Sequence, residues 1–377
     1  MQFTCKSDEL RKSIALVEKA VSQKSSLPVL ENIFLELKGT FLKLRGNNLE
    51  IGIENGFFIE NSSGDGCVLI KAKTLSGIVS KLSDNNVSIS VDEDQKLAIK
   101  GNQVDFDILG SNAQDYPVFP TIDEGTSFSL KVEEVRELIK HTIIAVSYDE
   151  TKQFLNGIMI KNEQDKLLFV STDGYRLALK HQTIPPMNND ISSIVPFKAV
   201  SELNRILQNI ENDKQIDIII SENQIVFKLD SFILISRLIQ GQFPDYKQVV
   251  PKTAENQFII NRHAFLAAAE RASIIATASN NVVRFLFENE KLEIFANAKG
   301  LGDFKEEIPI KQTQTTENTS NKIAFNIRLV LDVIKTVSTE NIVLEFNNEL
   351  SPCKISLEND DSFTYIIMPI RTTDYQN

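Results

Sequence analysis

Three consecutive acidic residues, Asp92, Glu93 and Asp94, could together bind a metal ion. Carboxylate oxygens are ligands for divalent cations, so such a run is compatible with a metal-dependent nuclease or phosphatase. The run lies, however, between two stretches of alternating apolar residues, and a solvated hairpin turn explains it better there. We therefore predict a turn and no metal site at this position.

Histidine and cysteine add no catalytic or metal-binding pattern. The three histidines, His141, His181 and His263, are too scattered to form a metal or acid-base cluster. The three cysteines, at positions 5, 67 and 353, lie outside any Cys-x-x-Cys spacing, which predicts reduced thiols and no zinc site. A phosphate-binding loop, a nucleophile elbow and a dinucleotide fingerprint are also missing from the sequence. We therefore expect no catalytic site and no cofactor.

Length and charge set broad limits on the class of protein. With 377 residues, 42% of them hydrophobic, the chain should form two or three domains. A formal net charge of −11 argues, taken alone, against nucleic acid as a partner, although an acidic protein can still carry a basic lining. The sequence starts without a basic stretch and apolar run, and no segment is long enough to span a bilayer. We therefore expect a soluble cytoplasmic protein.

The elements that would position a functional residue repeat three times along the chain. Segments beginning at Phe3, Phe128 and Phe258 each predict a short strand followed by a helix, and they are 125 and 130 residues apart. Such a period has the size of a domain. We predict three similar domains, at residues 1–120, 121–251 and 252–377, joined by proline-containing extended segments near 115–121 and 244–252.

Each repeat also predicts a second helix, followed by strands. The second helices are marked by apolar residues at helical spacing: Leu75, Ile78, Val79 and Leu82; Val200, Leu203, Leu207 and Ile210; Val330, Val333, Ile334 and Val337. The apolar period then changes to two, as expected for strands with one buried face: Val87, Ile89 and Val91; Ile216, Ile218 and Ile220; Ile342, Leu344 and Phe346. Helices on one side of antiparallel sheets indicate the α+β class, with six equivalent units suggesting an arc.

Four segments carry a resemblance to a known family. They are Phe154-Leu155-Asn156-Gly157-Ile158, Ser171-Thr172-Asp173-Gly174-Tyr175-Arg176-Leu177-Ala178, Gly241-Gln242-Phe243-Pro244-Asp245-Tyr246 and Ile366-Ile367-Met368-Pro369-Ile370-Arg371. On a threefold repeat that covers essentially the whole chain, they resemble the bacterial sliding clamps, the beta subunits of DNA polymerase III. The resemblance implies the DNA clamp fold, with each chain forming half of a closed ring.

The same resemblance implies a function and partners. It suggests a head-to-tail homodimer that encircles duplex DNA regardless of sequence, is loaded by a clamp loader, and tethers the polymerase III catalytic subunit and other proteins with a clamp-binding motif. An enzyme and a sequence-specific DNA binder are the two alternatives to this processivity factor. An enzyme would need the catalytic residues that are missing, and a sequence-specific DNA binder would need a recognition helix rich in Arg, Asn or Gln.

Basic residues on the predicted helices or at their ends would line the ring. They are Arg11, Lys12, Lys73, Lys81, Arg136, Lys140, Lys198, Arg205, Arg271 and Lys335. For each one alone, a merely solvated position on a polar helix face is an equally good interpretation. The family also has DNA-contacting loop residues, which match Lys24, Asp149, Gln153 and Phe154. Lys24 keeps a positive charge, whereas Asp149 would repel phosphate and Gln153 lacks an aromatic ring.

The resemblance further implies an apolar pocket that binds a short partner motif with a glutamine and hydrophobic anchors. The matching positions are Leu155, Thr172, Gly174, Tyr175, Arg176, Leu177, Pro244, Val249, Asn326, Leu329, Leu350, Ile366, Met368, Pro369, Ile370 and Arg371. Without the family, the aliphatic members would be interpreted as ordinary core residues. Two departures affect partner specificity: Asn280 stands where the family can have a pocket phenylalanine, and the segment 372–377 extends beyond the usual ending.

The dimer interface is expected to join the first domain of one chain to the third domain of its partner. Phe106 and Ile108, on a predicted strand, and Ile274 and Ile275 match the hydrophobic contact of the family. Pairing of two edge strands would close the ring and cover both edges. The alternative for these side chains is core packing within each domain.

Overall fold

The structure is a computed structural model that describes residues 1–22, 24–122, 124–187, 189–288, 290–314 and 321–372. In these residues the predicted order of strand, helix, strands, strand, helix, strands occurs three times, which confirms the α+β class. The chain divides into two compact units, Met1–Glu133 with Ser201–Leu238 and Glu134–Val200 with Ile239–Asn377. None of the described helices is long and apolar enough to cross a membrane.

Six helices and 25 strands make up the three repeats in the described residues. The first repeat contains α1 (Ser7–Val17), α2 (Ala72–Val79), β1 (Gln2–Lys6), β2 (Asn32–Lys38), β3 (Phe41–Asn47), β4 (Ile51–Phe58), β5 (Asn61–Ser63), β6 (Gly66–Lys71), β7 (Asn86–Val91), β8 (Lys96–Lys100) and β9 (Asp105–Leu109). The second contains α3 (Val132–Thr142), α4 (Phe197–Leu207), β10 (Thr126–Lys131), β11 (Gly157–Glu163), β12 (Lys166–Thr172), β13 (Arg176–Thr183), β14 (Ser192–Pro196), β15 (Gln215–Ile220), β16 (Gln224–Leu229) and β17 (Phe232–Arg237). The third contains α5 (Arg262–Ala276), α6 (Ile327–Thr336), β18 (Asn256–Asn261), β19 (Val282–Glu288), β20 (Lys291–Ala298), β21 (Gly302–Gln314), β22 (Lys322–Asn326), β23 (Asn341–Phe346), β24 (Cys353–Leu357) and β25 (Asp360–Ile367).

The second helices of the three repeats bury most of the predicted apolar stripes, but all three end earlier than the spacing suggests. In α6 the Asn326 side chain caps the first turn, where its Oδ1 accepts a hydrogen bond from the Arg328 amide at 3.0 Å. The helix ends one residue before Val337, α2 ends three residues before Leu82, and α4 ends three residues before Ile210. Val337 and Leu82 are nevertheless buried, at 3% and 6% exposure, and Ile210 is half-buried. The apolar spacing therefore predicted burial correctly and the helix ends incorrectly.

Sheets join one repeat to the next. In the sheet β10-β15-β16-β17-β4-β3-β2-β6, strand β17 of the second repeat pairs antiparallel with β4 of the first. In the sheet β14-β11-β12-β13-β25-β24-β23-β18-β21-β20-β19-β22, strand β25 of the third repeat pairs with β13 of the second in the same way. A third sheet, β5-β1-β7-β8-β9, ends at β9. Each junction is thus held by a ladder of backbone hydrogen bonds.

Close packing of helix and sheet fixes the small residues. An added Cβ at Gly46 in β3 would overlap the carbonyl oxygen of Val17 at the end of α1, so only glycine fits there. In the third repeat, buried alanines including Ala268 and Ala272 let α5 pack on β20 and β21. Phe258 and Phe287 stack beneath with ring centroids 4.3 Å apart.

The two proline-containing segments differ from each other. In the segment predicted near 115–121, Asp115 ends a short 3-10 turn (Ala113–Asp115), and residues 117–121 belong to no helix or strand. The segment 244–252 is not fully extended, because it contains a short 3-10 turn at Tyr246–Gln248. Its cap is Asp245, whose Oδ1 accepts a hydrogen bond from the Lys247 amide at 3.3 Å. An aspartate cap therefore outweighs the extended tendency of the prolines there.

Candidate functional site

An apolar cleft opens where β13 and β25 lie side by side. Leu177 of β13 is directly opposite Ile366 of β25 and also pairs with Thr172 of β12. The loop that follows β17 crosses this strand end with Pro244 and Val249. We call this cleft the Ile366 pocket; its lining residues are Leu155, Thr172, Gly174, Arg176, Leu177, Pro244, Asp245, Tyr246, Val249, Ile366 and Met368.

A tight turn between β12 and β13 shapes one rim of the pocket. Asp173 Oδ1 accepts hydrogen bonds from the amides of Tyr175 at 2.9 Å and Arg176 at 3.0 Å. Gly174 has a φ of +92°, a left-handed conformation that glycine adopts without strain. The Tyr175 carbonyl accepts a hydrogen bond from the Met368 amide at 2.9 Å, so the turn also fixes the strand end that carries Met368.

Arg176 forms one wall of the pocket, and its guanidinium forms ion pairs with two carboxylates of the protein itself. Its Nε donates to Asp173 at 3.0 Å and its Nη1 to Asp332 at 2.5 Å, and the side chain is only 10% exposed. Burial disfavours the charged form, but Tyr365, Asp332 and Asp173 outweigh it and raise the pKa of the guanidinium. Arg176 therefore acts as a rigid support for the β12–β13 turn.

The floor of the pocket includes Tyr246, which is 6% exposed. Its hydroxyl donates to Glu163 Oε1 at 3.3 Å, and Glu163 also accepts from Lys161 and Lys247, both at 2.9 Å. Burial together with the Glu163 charge raises the pKa of Tyr246 to about 12. Burial opposes ionisation of Glu163, yet its two lysine partners lower the pKa of this carboxyl. Tyr246 is thus held as a neutral, hydrogen-bonded floor.

Nine of the sixteen predicted pocket positions line the Ile366 pocket: Leu155, Thr172, Gly174, Arg176, Leu177, Pro244, Val249, Ile366 and Met368. The sequence interpretation did not include Asp245 and Tyr246, although both belong to one of the four signature segments. The segment 241–246 was therefore the feature of the sequence from which both residues could have been predicted.

Seven predicted positions lie outside the lining: Tyr175, Asn326, Leu329, Leu350, Pro369, Ile370 and Arg371. Some of them are adjacent in sequence to lining residues. Tyr175 is 71% exposed at its rim, and the chain continues from Met368 to Ile370, whose amide donates to the Ala324 carbonyl at 2.8 Å. Leu350 is 53% exposed. Asn280, the departure from the family, has a φ of +56° in the turn after α5 and is not a lining residue.

The predicted DNA-contacting residues fall into two groups. Arg11, Lys140, Arg205, Arg271 and Lys335 form ion pairs of 2.5 to 3.3 Å with Asp8, Glu137, Glu202, Glu306 and Glu270 respectively, and Arg136 is half-buried and also engaged. In the second group, five of the predicted lysines are exposed and form no ion pair or hydrogen bond within the described residues: Lys12, Lys24, Lys73, Lys81 and Lys198. These five offer free positive charge.

The loop residues before β11, Glu150–Leu155, form two short 3-10 turns separated by a kink at Lys152. Asp149 caps the first turn, because its Oδ1 accepts from the Thr151 amide at 3.0 Å and the Thr151 hydroxyl at 2.7 Å, which lowers the pKa of this carboxyl. Gln153 is exposed and Phe154 is half-buried. Asp149 therefore has a structural role in shaping the loop.

The residues predicted for the dimer interface lie on the edge strand β9 and on α5. Phe106 and Ile108 lie half-buried on the edge strand β9, and the neighbouring Leu109 is 83% exposed. On α5, Ile274 is 70% exposed and Ile275 packs partly against the core of the third repeat. Of the four predicted residues, Ile274 is therefore the one that is mainly exposed.

The acidic run is a hairpin turn. Asp92, Glu93 and Asp94 are exposed between β7 and β8, and Asp92 Oδ1 accepts a hydrogen bond from the Lys96 amide at 2.8 Å. Among the described residues no group of three His, Cys, Asp or Glu side chains is arranged to hold a metal ion.

Each histidine lies on a different element, with His141 on α3, His181 on β13 and His263 on α5. Burial lowers the pKa of His141, which is 3% exposed, and also that of His181. Cys5, Cys67 and Cys353 are free thiols. Burial raises the pKa of Cys5 to about 12, so this thiol stays protonated.

Three clamp-type domains with an apolar pocket define the class of DNA clamps, and comparison with known proteins agrees. Models of the DNA polymerase III beta subunit match residues 1–120 (N-terminal domain), 129–245 (central domain) and 247–371 (C-terminal domain). The beta sliding clamp of Bacillus subtilis is 32% identical over 99% of this chain and 100% of its own length. The chain belongs to the DNA polymerase III beta subunit family. As a member of this family it is a sliding clamp, a non-catalytic processivity factor.

Solved structures show the same fold. The DNA polymerase sliding clamp of Bacillus subtilis superposes with a TM-score of 0.92 at 30% identity and covers 99% of both chains. The sliding clamp of Pseudomonas aeruginosa bound to griselimycin superposes with a TM-score of 0.91 at 28% identity, over 99% of this chain and 100% of that one.

Proposed function

We propose that this sliding clamp closes as a head-to-tail homodimer into a ring around duplex DNA, with domains at residues 1–120, 121–251 and 252–377. The observation that carries the proposal is the threefold repeat, matched by beta-subunit domains in order along the chain. A ring retains DNA by topology. Individually weak phosphate contacts then permit sliding, whereas tight or base-specific contacts would oppose it.

Strand pairing supports head-to-tail closure. At each internal junction, an edge strand of one repeat pairs antiparallel with the last strand of the next repeat, β4 with β17 and β13 with β25. By the same rule, the third repeat should offer the first half of β21, which follows β20 as β13 follows β12. The first repeat should offer β9. In the described residues, that half of β21 pairs only with β20, and β9 pairs only with β8.

Two unlike open edges require a heterologous contact, which ends only when the assembly closes on itself. Joining β9 of one chain to β21 of the next would continue the repeated junction and cover both edges. Phe106 and Ile108 on β9 and Ile274 on α5 would supply the apolar side chains of this contact. The alternative of core packing fits Ile275 but not Ile274, which is 70% exposed.

The free lysines support a weak, sequence-independent DNA contact. Lys12, Lys73, Lys81 and Lys198 lie on helices or at their ends, and Lys24 lies in a loop. The other predicted basic residues form ion pairs or are engaged, so only part of the predicted basic set is free to meet phosphate. This combination suits a protein that must hold DNA without gripping it.

The Ile366 pocket would receive partner proteins. Its walls are aliphatic, and Thr172, Asp245 and the exposed Tyr175 at the rim provide polar contacts for a peptide that carries a glutamine and hydrophobic anchors. We propose that the clamp loader, the polymerase III catalytic subunit and other partners with such a motif use it in turn, in the cytoplasm.

Retention on plasmid DNA tests the ring. Purified protein is loaded on nicked circular plasmid with a clamp loader and ATP, and half of the plasmid is then linearised. The topological mechanism predicts retention on circles and loss from linear DNA. Equal retention on both, with loading independently confirmed, would mean ordinary DNA binding. Ile274→Asp should prevent stable retention on circles, whereas Phe58→Asp, an equally exposed apolar residue remote from β9 in sequence, should not.

A further inference from the structure

The first junction contains a structural counterpart of the Ile366 pocket. A cleft lies where β4 pairs with β17, and we call it the Ile235 cleft; its lining includes Asn47, Leu49, Gly52, Val118, Ile235 and Arg237. The strand register relates the two sites, because Gly52 is opposite Ile235 as Leu177 is opposite Ile366. Gly52 precedes Leu177 by the same 125 residues that separate Phe3 from Phe128.

The turns at the two rims have the same hydrogen bonds. Asn47 Oδ1 accepts from the Leu49 amide at 2.8 Å, as Thr172 Oγ1 accepts from the Gly174 amide at 3.1 Å. Asn48 Oδ1 accepts from the next two amides at 3.0 and 2.8 Å, which is the role of Asp173 in the second repeat.

The strand ends are fixed alike as well. The Glu50 carbonyl accepts from the Arg237 amide at 2.9 Å, and the Tyr175 carbonyl accepts from the Met368 amide at 2.9 Å. The same backbone thus builds both sites, and only the side chains differ.

The Ile235 cleft has an exposed apolar rim. Val118 is 92% exposed and Leu49 is 41% exposed. Leu49 also has a φ of +71°, a left-handed conformation that is unfavourable for leucine and is occupied by Gly174 in the other site. Leu49 and Val118 together form a small exposed apolar patch, and a bound segment that covered it would remove this apolar surface from water.

The polar side chains at this rim differ from those of the Ile366 pocket. Arg237 replaces Met368 and Glu50 replaces Tyr175, and both are exposed. Within the described residues, neither side chain forms an ion pair or hydrogen bond. The floor differs too, because the Phe119 ring fills the space above Gly52, where an added Cβ would come within 2.9 Å of it. The cleft is therefore shallower and carries a free guanidinium.

We propose that the Ile235 cleft is a second docking site, which takes an extended peptide segment with a leucine-sized side chain next to a carboxylate. The apolar side chain would cover Leu49 and Val118, and the carboxylate would pair with Arg237. The inference rests on the proposed role of the Ile366 pocket in binding peptides. The two sites select different peptides, because one rim presents a thioether and the other a cation.

Methyl NMR on the full-length protein tests this proposal with a capped peptide, Ser-Gly-Leu-Asp-Gly-Ser. The methyl signals of Leu49 and Val118 should shift saturably, and lysine in place of aspartate in the peptide should weaken binding about fivefold or more. Arg237→Gln should weaken binding of the aspartate peptide similarly, whereas Glu50→Gln should strengthen it by removing a like charge. Lys228→Gln removes an exposed lysine of β16 that does not line the cleft, and should change nothing.

Unshifted Leu49 and Val118 signals at millimolar peptide, or equal binding by the aspartate and lysine peptides, would overturn the inference. A second peptide with a glutamine and two hydrophobic anchors reports separately on the Ile366 pocket through the Ile366 and Met368 methyls. Shifts there without shifts at Leu49 would leave the proposed function intact and remove only the second site.

Discussion

Replacing Met368 with alanine should separate peptide binding from folding. Met368 is 38% exposed at the mouth of the Ile366 pocket, so a bound peptide would cover its remaining surface. Truncation removes three heavy atoms, each worth about 0.8 kcal/mol if fully covered, and partial coverage gives about 1–2 kcal/mol. Affinity should fall about 5- to 30-fold. The free energy of unfolding should fall by about 1 kcal/mol or less, because the side chain is not part of the sealed core.

Fluorescence anisotropy of a labelled peptide with a glutamine and two hydrophobic anchors measures the affinity, and urea unfolding measures the stability. Met187→Ala provides a matched control, because Met187 is half-buried and lies outside the pocket lining. An affinity of Met368→Ala within twofold of the unmodified protein would refute the pocket assignment. So would an equal loss in Met187→Ala, which would point to a general effect of removing a methionine.

Four other substitutions test separate parts of the structure. Ile274→Asp should shift sedimentation from dimer to monomer without changing the far-UV circular dichroism, and an unchanged dimer would contradict the proposed interface. Lys24→Glu should reduce the slope of log DNA affinity against log salt by about 1; an unchanged slope would remove Lys24 from the DNA contact. Glu163→Gln should lower stability at pH 7 by about 1 kcal/mol or less. Because the pKa of Glu163 is lowered on folding, its contribution is present above about pH 4.3 and lost as pH falls below that, so the two unfolding curves should converge in acid; a constant difference would contradict the ion pairs. Gly46→Ala should destabilise by about 2–3 kcal/mol in urea, because its Cβ overlaps a backbone oxygen; near-wild-type stability would show that the strand can shift.

The periodicity of apolar residues predicted which faces of the helices are buried. The stripe Val330, Val333 and Ile334 predicted the buried face of α6, and that face is buried. The ends of helices were beyond its reach, since Val337 keeps the spacing and is buried after the helix has ended. Periodicity reports which side chains face the core. It does not report where the backbone stops making i to i+4 hydrogen bonds.

The pocket was only partly predictable, for a related reason. Its walls come from residues far apart in sequence, and only the resemblance to clamps brought Leu177 and Ile366 together. Arg176 was predicted as a pocket residue, but its ion pair with Asp332 joins residues 156 positions apart, and no local pattern signals such a contact. Tyr246 was visible in a signature segment, yet its hydrogen bond to Glu163 depends on the fold.

The shared sheets have a consequence for anyone who cuts the chain into its parts. A central domain expressed alone would lose the β4 partner of β17 and the β25 partner of β13, which are ladders of four and five residue pairs. Each cut would leave a row of unpaired amides and carbonyls, the surface through which sheets aggregate. Fragments of this protein should therefore precipitate or swap strands. During synthesis, the edge of β4 in the first repeat would stay unpaired until β17 has been made.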